Sequence, residues 1–301
     1  MTTIELFCNL KDNLPLVLDE NELFHKGLDC EYKRYMLYLK RLDKQEFYDF
    51  LGHPLDELIR EEEDIIKSLK EVIYEVRNGD APTAYTKINN LLNKKIGDKI
   101  LIKHHKTYKS QENTFYRIIG KPDGEINKTY AYHRNFKDAA YIPNYRFSMN
   151  GFPCLYLGSS RDVCEKESEG NNETRILNTY QISNGQTITF LSIAPPITDR
   201  HKEELYNFFL LYPLYLASLT QYKEPSKKYF HEEYIIPQLL LLYVRKNQTK
   251  IDGIRYLSTY YRKDDDIQKM LDYVLPVTGI KDEGFDMKLM DKFEIKEQKE
   301  I

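Results

Sequence analysis

Hydrophobic positions near the start of the chain recur with the period of an α-helix. In residues 55–76, acidic and basic side chains fill the face between the apolar positions. Asn78-Gly79 predicts the end of this helix, and Pro82 predicts the first turn of another, which runs to about Lys94. Together with a helical stretch over residues 30–51, the pattern predicts an all-α N-terminal domain over residues 1–108. The apolar positions, which repeat about every 3.6 residues, are Leu55, Leu58, Ile59, Ile65, Ile66, Leu69, Val72, Ile73 and Val76.

The pattern changes at a polar segment, residues 103–113, where we place a domain boundary. Neighbouring side chains diverge in direction, so His104 and His105 are predicted to be solvated rather than a metal-ligand pair. Beyond the boundary, short β-type runs alternate with helical patterns at about residues 160–168, 199–219 and 229–247, and Asn184-Gly185 predicts a hairpin. Residues 109–301 are therefore predicted to form a mixed α and β domain. The predicted strands are Phe115–Ile119, Leu155–Leu157, Arg175–Ile182, Thr187–Ile193, Gly253–Leu257 and Tyr273–Val277.

Composition narrows the classes of function. The 44 basic and 47 acidic residues give a net charge of −3, whereas a nucleic-acid binder normally carries a basic surplus. No CxxC pair occurs, so the sequence predicts no zinc site and favours reduced, buried thiols in a cytoplasmic protein. The four cysteines are Cys8, Cys30, Cys154 and Cys164.

The most apolar segments, residues 205–219 and 234–244, are shorter than a membrane span and carry Pro213 and Pro237. They are predicted to be buried helices. The N-terminus also lacks the basic and long apolar regions of a signal peptide. We therefore expect a cytoplasmic protein that does not contact a membrane.

Residues 145–167 predict a turn, a strand and a helix in close succession. Turn-forming residues at 150–153 lead into the strand, and Gly158 ends it. Ser159 and Asp162 have the spacing of a capping box, which predicts a helix from about Ser160.

Glu167 would share one face of that helix with Val163 and Cys164. An inward carboxylate is costly unless something pairs with it, which makes Glu167 a candidate site residue. With Tyr156 in the strand and Arg146 before it, the segment suits an anionic, ring-bearing ligand that has a cationic leaving group. Taken singly, each residue has an ordinary structural interpretation: an exposed helix carboxylate, a core tyrosine and a surface arginine.

Arg146-Phe-Ser-Met-Asn-Gly-Phe-Pro-Cys-Leu-Tyr156-Leu-Gly-Ser-Ser, followed by Glu167, resembles the signature of the RES-domain family. Further segments resemble that family in the same order, and the matches together span about residues 114–280. The resemblance implies an α+β fold similar to the ADP-ribosyltransferase toxins, with a mixed, largely antiparallel sheet and flanking helices. It also implies a site that breaks NAD as substrate, without a metal. The further segments are Phe115-Tyr-Arg117, Glu233–Gln238 and Asp252–Ser258.

The resemblance implies a role for each matching residue. Glu167 would face the ribose and the cation that develops on it, and Tyr156 would pack against nicotinamide or ribose. Arg146 would pair with the pyrophosphate, and Ser258 would hydrogen-bond the nicotinamide-side ribose or amide. Arg117 is a further candidate for binding NAD.

The function implied is a toxin-like or defence-like NAD glycohydrolase, which cleaves the nicotinamide–ribose bond. Two alternatives stay open: an ADP-ribosyltransferase that modifies a protein target, and a catalytically degenerate module that binds a nucleotide and signals. The chain departs from the family pattern at Tyr145, Cys164 and Lys166, which leaves the shape of the pocket open. Besides NAD, the candidate partners are an antitoxin or other regulatory protein and a second copy of the chain. Nucleic acid is not an expected partner.

Overall fold

The computed structural model describes residues 1–105, 113–121, 128–168, 174–197, 201–223 and 230–301. They form two compact units, which we name by their dominant structure. The helical unit comprises residues 1–100 and 193–240, and the sheet unit comprises residues 101–192 and 241–301. The domains predicted from the sequence were residues 1–108 and 109–301. The structure differs in that residues 193–240 belong with the N-terminal helices.

The order of elements along the chain alternates between the two units. The helices of the described residues are α1 (Thr3–Asp12), α2 (Phe24–Leu39), α3 (Lys44–Leu51), α4 (Leu55–Arg77), α5 (Ala81–Leu91), α6 (Arg161–Glu167), α7 (Lys202–Leu219), α8 (Ile235–Lys246) and α9 (Met287–Met290). The strands are β1 (Val17–Leu18), β2 (Leu101–His105), β3 (Thr114–Gly120), β4 (Cys154–Gly158), β5 (Arg175–Ile182), β6 (Thr187–Ile193), β7 (Gln221–Tyr222), β8 (Gly253–Leu257), β9 (Leu271–Pro276) and β10 (Phe293–Glu300). Each predicted strand is present among them.

Helix boundaries in the helical unit follow local sequence. The predicted end of α4 is confirmed, because Gly79 adopts a φ of 84°, a left-handed conformation that suits glycine. The next helix is also confirmed: Asp80 accepts a hydrogen bond from the backbone N–H of Thr83, and Pro82 lies in the first turn. The predicted stretch over residues 30–51 is two helices, since Asp43 caps α3 separately from α2.

α7 explains why residues 193–240 belong to the helical unit. Nearly every side chain of this helix from Leu205 onward is buried, so it needs partners on all sides. Tyr212 packs against Tyr35 of α2 with ring centroids 4.9 Å apart, and Phe209 packs against Phe47 of α3 at 6.0 Å. Among the described residues, no helix combines the length and the apolar character that crossing a membrane requires.

The all-α prediction for residues 1–108 is not confirmed as it stands. β1 pairs in parallel with β7, and β2, which begins at Leu101, belongs to the sheet unit. Part of the predicted polar boundary segment is therefore a strand, while residues 106–112 lie outside the described residues.

The described residues of the sheet unit form an eight-stranded, mixed and mostly antiparallel sheet in the order β10-β5-β3-β4-β9-β8-β6-β2. The predicted α+β class is confirmed at this level. The predicted hairpin is wrong, although its turn forms: Gly185 has a φ of 76°, and the N–H of Gln186 bonds the carbonyl of Ser183. β5 pairs with β3 and β10, whereas β6 pairs with β2. Local sequence determines the turn, whereas the strand partners depend on surface buried between segments that are distant along the chain.

A short turn between strands so far apart in the order requires the sheet to curve back on itself. Aromatic rings pack inside this curve. The ring centroid of Tyr273 in β9 lies 4.9 Å from that of Phe115 in β3 and 5.0 Å from that of Phe190 in β6. The ring of His104 on β2 lies 5.5 Å from Phe190, edge to face. The prediction of a solvated side chain is therefore wrong for His104. The side chain of His105 lies outside the described part of the structure.

The four thiols divide between interior and surface. The prediction of buried thiols is confirmed for Cys154 and Cys164 and is wrong for Cys8 and Cys30, which are exposed. Burial raises the pKa of both interior thiols.

Candidate functional site

The end of β4 and the start of α6 are packed unusually closely. Ser160 caps α6 by accepting a hydrogen bond from the N–H of Val163 at 3.2 Å. The cap is thus one residue later than the predicted capping box, because Ser159 instead exchanges hydrogen bonds with the backbone of Leu271 in β9. A Cβ added at Gly158 would lie only 2.6 Å from Val163 and from Cys164. Glycine at this position lets the helix lie directly against the strand.

This packing brings Glu167, the last residue of α6, to two polar side chains of the sheet. The hydroxyl of Ser258 donates to Oε1 of Glu167 at 3.3 Å. The carboxyl group of Asp272 lies within hydrogen-bonding reach of both Glu167 and Ser258. We call these three residues the carboxyl cluster. As a whole residue Glu167 is exposed, but its carboxyl group turns inward against Ser258, which is wholly buried, and Asp272, which is 3% exposed.

The two acids of the carboxyl cluster perturb each other. Burial raises the pKa of Glu167, and hydrogen bonds with Asp272 and Ser258 partly offset that rise. Burial raises the pKa of Asp272 well above its ordinary value, and the neighbouring charge of Glu167 raises it further. Two carboxyl groups in contact cannot both ionise easily, so the pair tends to share one proton. The more buried acid, Asp272, is the one that favours the neutral form.

Tyr256 connects this cluster to the other predicted residues. It lies directly opposite Asp272 in the pairing of β8 with β9. Burial raises its pKa, the acids Asp272 and Glu167 and the side chain of Tyr156 raise it further, and Arg146 lowers it. The electrostatic influence of all four side chains therefore reaches one phenol group.

Aromatic contacts hold the turn that carries Arg146. Phe147, the next residue, is buried and packs on the ring of Tyr256 at 4.3 Å. Tyr145, on the other side of Arg146, is 51% exposed and meets the ring of Tyr156 edge to face at 6.2 Å. The departure from the family pattern at Tyr145 thus places an accessible aromatic ring beside Tyr156.

The predicted site residues therefore differ in how directly they contact one another. Glu167 and Ser258 are in direct contact, and Tyr156 and Arg146 lie near them around Tyr256. Tyr156 is half-buried, and its hydroxyl points into the protein beside Ser148. Ser258 has no exposed surface, so its hydroxyl contacts Glu167 rather than the outside.

Arg117 makes its hydrogen bond outside the carboxyl cluster. Its guanidinium donates to the backbone carbonyl of Ala131 at 3.1 Å, beside Tyr180 and Cys164. Burial lowers its pKa. This arrangement supports the short 3-10 helix Lys128–Ala131, and a role for Arg117 in binding NAD stays a prediction.

Sequence reasoning missed Asp272 and Tyr256. Asp272 is the one charged residue in β9, a strand in which all six side chains are buried. An acid within an otherwise apolar, buried strand carries the same desolvation cost that marked Glu167. In the described ranges, no group of three or more His, Cys, Asp and Glu side chains has an arrangement that could hold a metal ion.

The chain is similar to a curated protein of Bacillus subtilis (strain 168) that is named "Putative toxin YopC". The relative is named as a toxin. The two are 31% identical over 198 residues, which make up 60% of this chain and 45% of the relative. The chain thus spans about half the length of the curated protein it matches. No protein-family model matches the chain, and no solved structure does so.

Proposed function

We propose that the chain is a toxin-like enzyme of the RES-domain type that consumes NAD by cleaving its nicotinamide–ribose bond. The observation that carries this proposal is the carboxyl cluster: the carboxylate of Glu167, a residue that reaches the surface, is held by a buried serine and a buried second acid. The RES resemblance of the surrounding segment and the toxin-like relative support it. The curved, mostly antiparallel sheet is compatible with the fold that the RES resemblance implies.

The chemistry of NAD suits a site with a single accessible carboxylate. Hydrolysis of most glycosides uses two carboxyl groups on opposite sides of the bond, one of them to protonate the leaving group. Nicotinamide leaves a cationic pyridinium as a neutral molecule, so it needs no proton from the protein. The carboxylate of Glu167 then has one catalytic role, which is to stabilise positive charge on the ribose as the bond breaks.

The remaining residues would bind the substrate around Glu167. Arg146 has the planar, charged group that suits pyrophosphate oxygens. The half-buried ring of Tyr156 offers a flat surface to nicotinamide or ribose. Because Ser258 is buried, we assign it to orienting Glu167 instead of contacting nicotinamide.

Nicotinamide release tests the proposal. Purified chain is incubated with NAD, and free nicotinamide is followed by chromatography. Glu167→Gln keeps an oxygen that accepts from Ser258 but removes the charge, so release should fall about a hundredfold or more. Glu165→Gln is the matched control, because Glu165 lies on the same helix and pairs with Arg161 at 2.6 Å. Equal release by the wild-type chain and Glu167→Gln would remove the enzymatic proposal.

The same experiment separates the alternatives. A hydrolase forms equal amounts of free ADP-ribose and nicotinamide, whereas a transferase leaves ADP-ribose attached to a protein that labelled NAD reveals in lysate. Tight binding of NAD without nicotinamide release would favour the degenerate nucleotide-binding module. A toxin of any of these kinds would require a neutralising partner, and we propose an antitoxin in the cytoplasm for that role.

A further inference from the structure

Asp272 is a buried acid that the proposed chemistry does not use directly. It lies in the centre of the sheet, opposite Gly158 of β4 on one side and Tyr256 of β8 on the other. Its Oδ2 is buried and receives no hydrogen bond from a protein donor among the residues that the structure describes. A buried carboxylate oxygen without a donor is costly, and protonation removes that cost.

Among the residues with described positions, the groups that face Asp272 supply no compensating positive charge. From α6 it meets Glu167 and the thiol of Cys164, and from β8 it meets the phenol of Tyr256. The hydroxyl of Ser258, just after β8, completes these contacts. Each of these groups is neutral or acidic. The surroundings thus favour a neutral carboxylic acid, which can donate a hydrogen bond to its acidic neighbour.

We propose that Asp272 is a positioning residue that keeps a proton and donates it in a hydrogen bond to Glu167, so that the carboxyl cluster carries a single negative charge at its exposed member. The hydrogen bonds from Asp272 and Ser258 together would fix the orientation of the Glu167 carboxylate. The catalytic part of this inference rests on the proposed function. The proton on Asp272 does not, and can be tested in the absence of turnover.

The sign of the pH effect follows from the raised pKa of Asp272. In the unfolded chain an aspartate loses its proton at about pH 3.9, whereas in the folded chain it keeps the proton to higher pH. Its contribution to stability is therefore fully present below about pH 3.9 and is lost progressively as the pH rises towards the folded-state value. Asp272→Asn has the same shape, stays neutral and can still donate a hydrogen bond.

The first measurement is the free energy of unfolding in urea, for the wild-type chain and Asp272→Asn, between about pH 4 and pH 8. We expect the difference between the two proteins to shift in favour of Asp272→Asn as the pH rises. Titrating groups remote from Asp272 are common to both proteins and cancel in the difference, whereas Glu167, which contacts Asp272, contributes to it. Asp264→Asn, at an exposed position of the same unit, controls for removing a carboxyl group. A difference for Asp272→Asn that does not change with pH would overturn the proposal.

The second measurement is the pH profile of nicotinamide release. Asp272→Asn should keep release within a few-fold of wild type and should not show the decline in activity that we expect of the wild-type chain as the pH rises and Asp272 loses its proton. Asp272→Ala, which lacks the hydrogen bond, should release nicotinamide at about one tenth of the wild-type rate or below. If Asp272→Asn is as impaired as Asp272→Ala, positioning by a donated hydrogen bond is refuted. If the wild-type chain releases no nicotinamide at any pH, the proposed function fails, while the unfolding measurement still decides whether Asp272 holds a proton.

Discussion

Replacing Gly158 with alanine tests whether close packing between β4 and α6 positions the carboxyl cluster. The new methyl group would lie 2.6 Å from Cys164 Sγ and 2.6 Å from Val163 Cγ1. Favourable contacts between such atoms lie at about 3.5–4.0 Å, so the helix must move by about 1 Å. Val163 and Cys164 are buried, which leaves them little room to adjust. Overpacking of this kind costs about 1–3 kcal/mol of stability.

The displacement should also reach the site, because Glu167 ends the same short helix. A misplacement of about 1 Å can reduce catalysis about a hundredfold, so nicotinamide release should fall far more than stability alone would explain. The assays are urea unfolding and nicotinamide release at a temperature at which the variant is folded. Gly279→Ala is the matched control, since a Cβ at Gly279 of the same unit would meet nothing within 4 Å.

Two results would contradict the prediction, one for the packing of α6 and one for its effect on Glu167. Gly158→Ala with the stability of Gly279→Ala would show that the close contact is not a packing constraint. Gly158→Ala that is destabilised but releases nicotinamide at the wild-type rate would show that the position of α6 does not orient Glu167.

Two further expectations concern buried groups elsewhere in the chain. Glu62 is wholly buried, accepts from the Tyr35 hydroxyl at 3.2 Å, and has a raised pKa because of burial, so its stabilising effect is lost as the pH rises above about 4.3. Glu62→Gln should therefore stabilise the chain more at pH 8 than at pH 5 in urea unfolding, and an equal effect at both would contradict the assignment. Iodoacetamide should modify Cys8 and Cys30 rapidly and the buried Cys154 and Cys164 only after unfolding, as mass spectrometry of timed samples can show. Fast modification of either buried thiol in the folded chain would be inconsistent with the packing.

Elements could be predicted from the sequence where local chemistry decides them. The apolar repeat and Asn78-Gly79 define α4 and its end, and the bounds of β5, β6 and β8 match the predicted ones. Turn chemistry at Gly185 was also sufficient to place a turn. In each of these cases the residues that determine the structure lie within a few positions of one another.

The partners of these elements could not be predicted in the same way. β5 and β6 flank a good hairpin turn, yet β5 pairs with β3 and β10, and β6 pairs with β2. α7 follows β6 along the chain but packs with α2 and α3 in the helical unit. Pairing of this kind depends on the total surface buried between distant segments, and a local pattern does not contain it.

The carboxyl cluster shows which part of a buried site the cost of burying an acid can reveal from the sequence. Glu167 was found because an inward acid needs a partner, but the sequence did not show which residue the partner is. Asp272 obeys the same rule in β9, and the contact between them accounts for both costly acids at once. Burial of an acid is not sufficient by itself, since Glu62 is equally buried and accepts from a core tyrosine. What distinguishes Asp272 is that its hydrogen-bonding neighbour is a second acid on a residue that reaches the surface, so a proton held on Asp272 would govern the charge of Glu167.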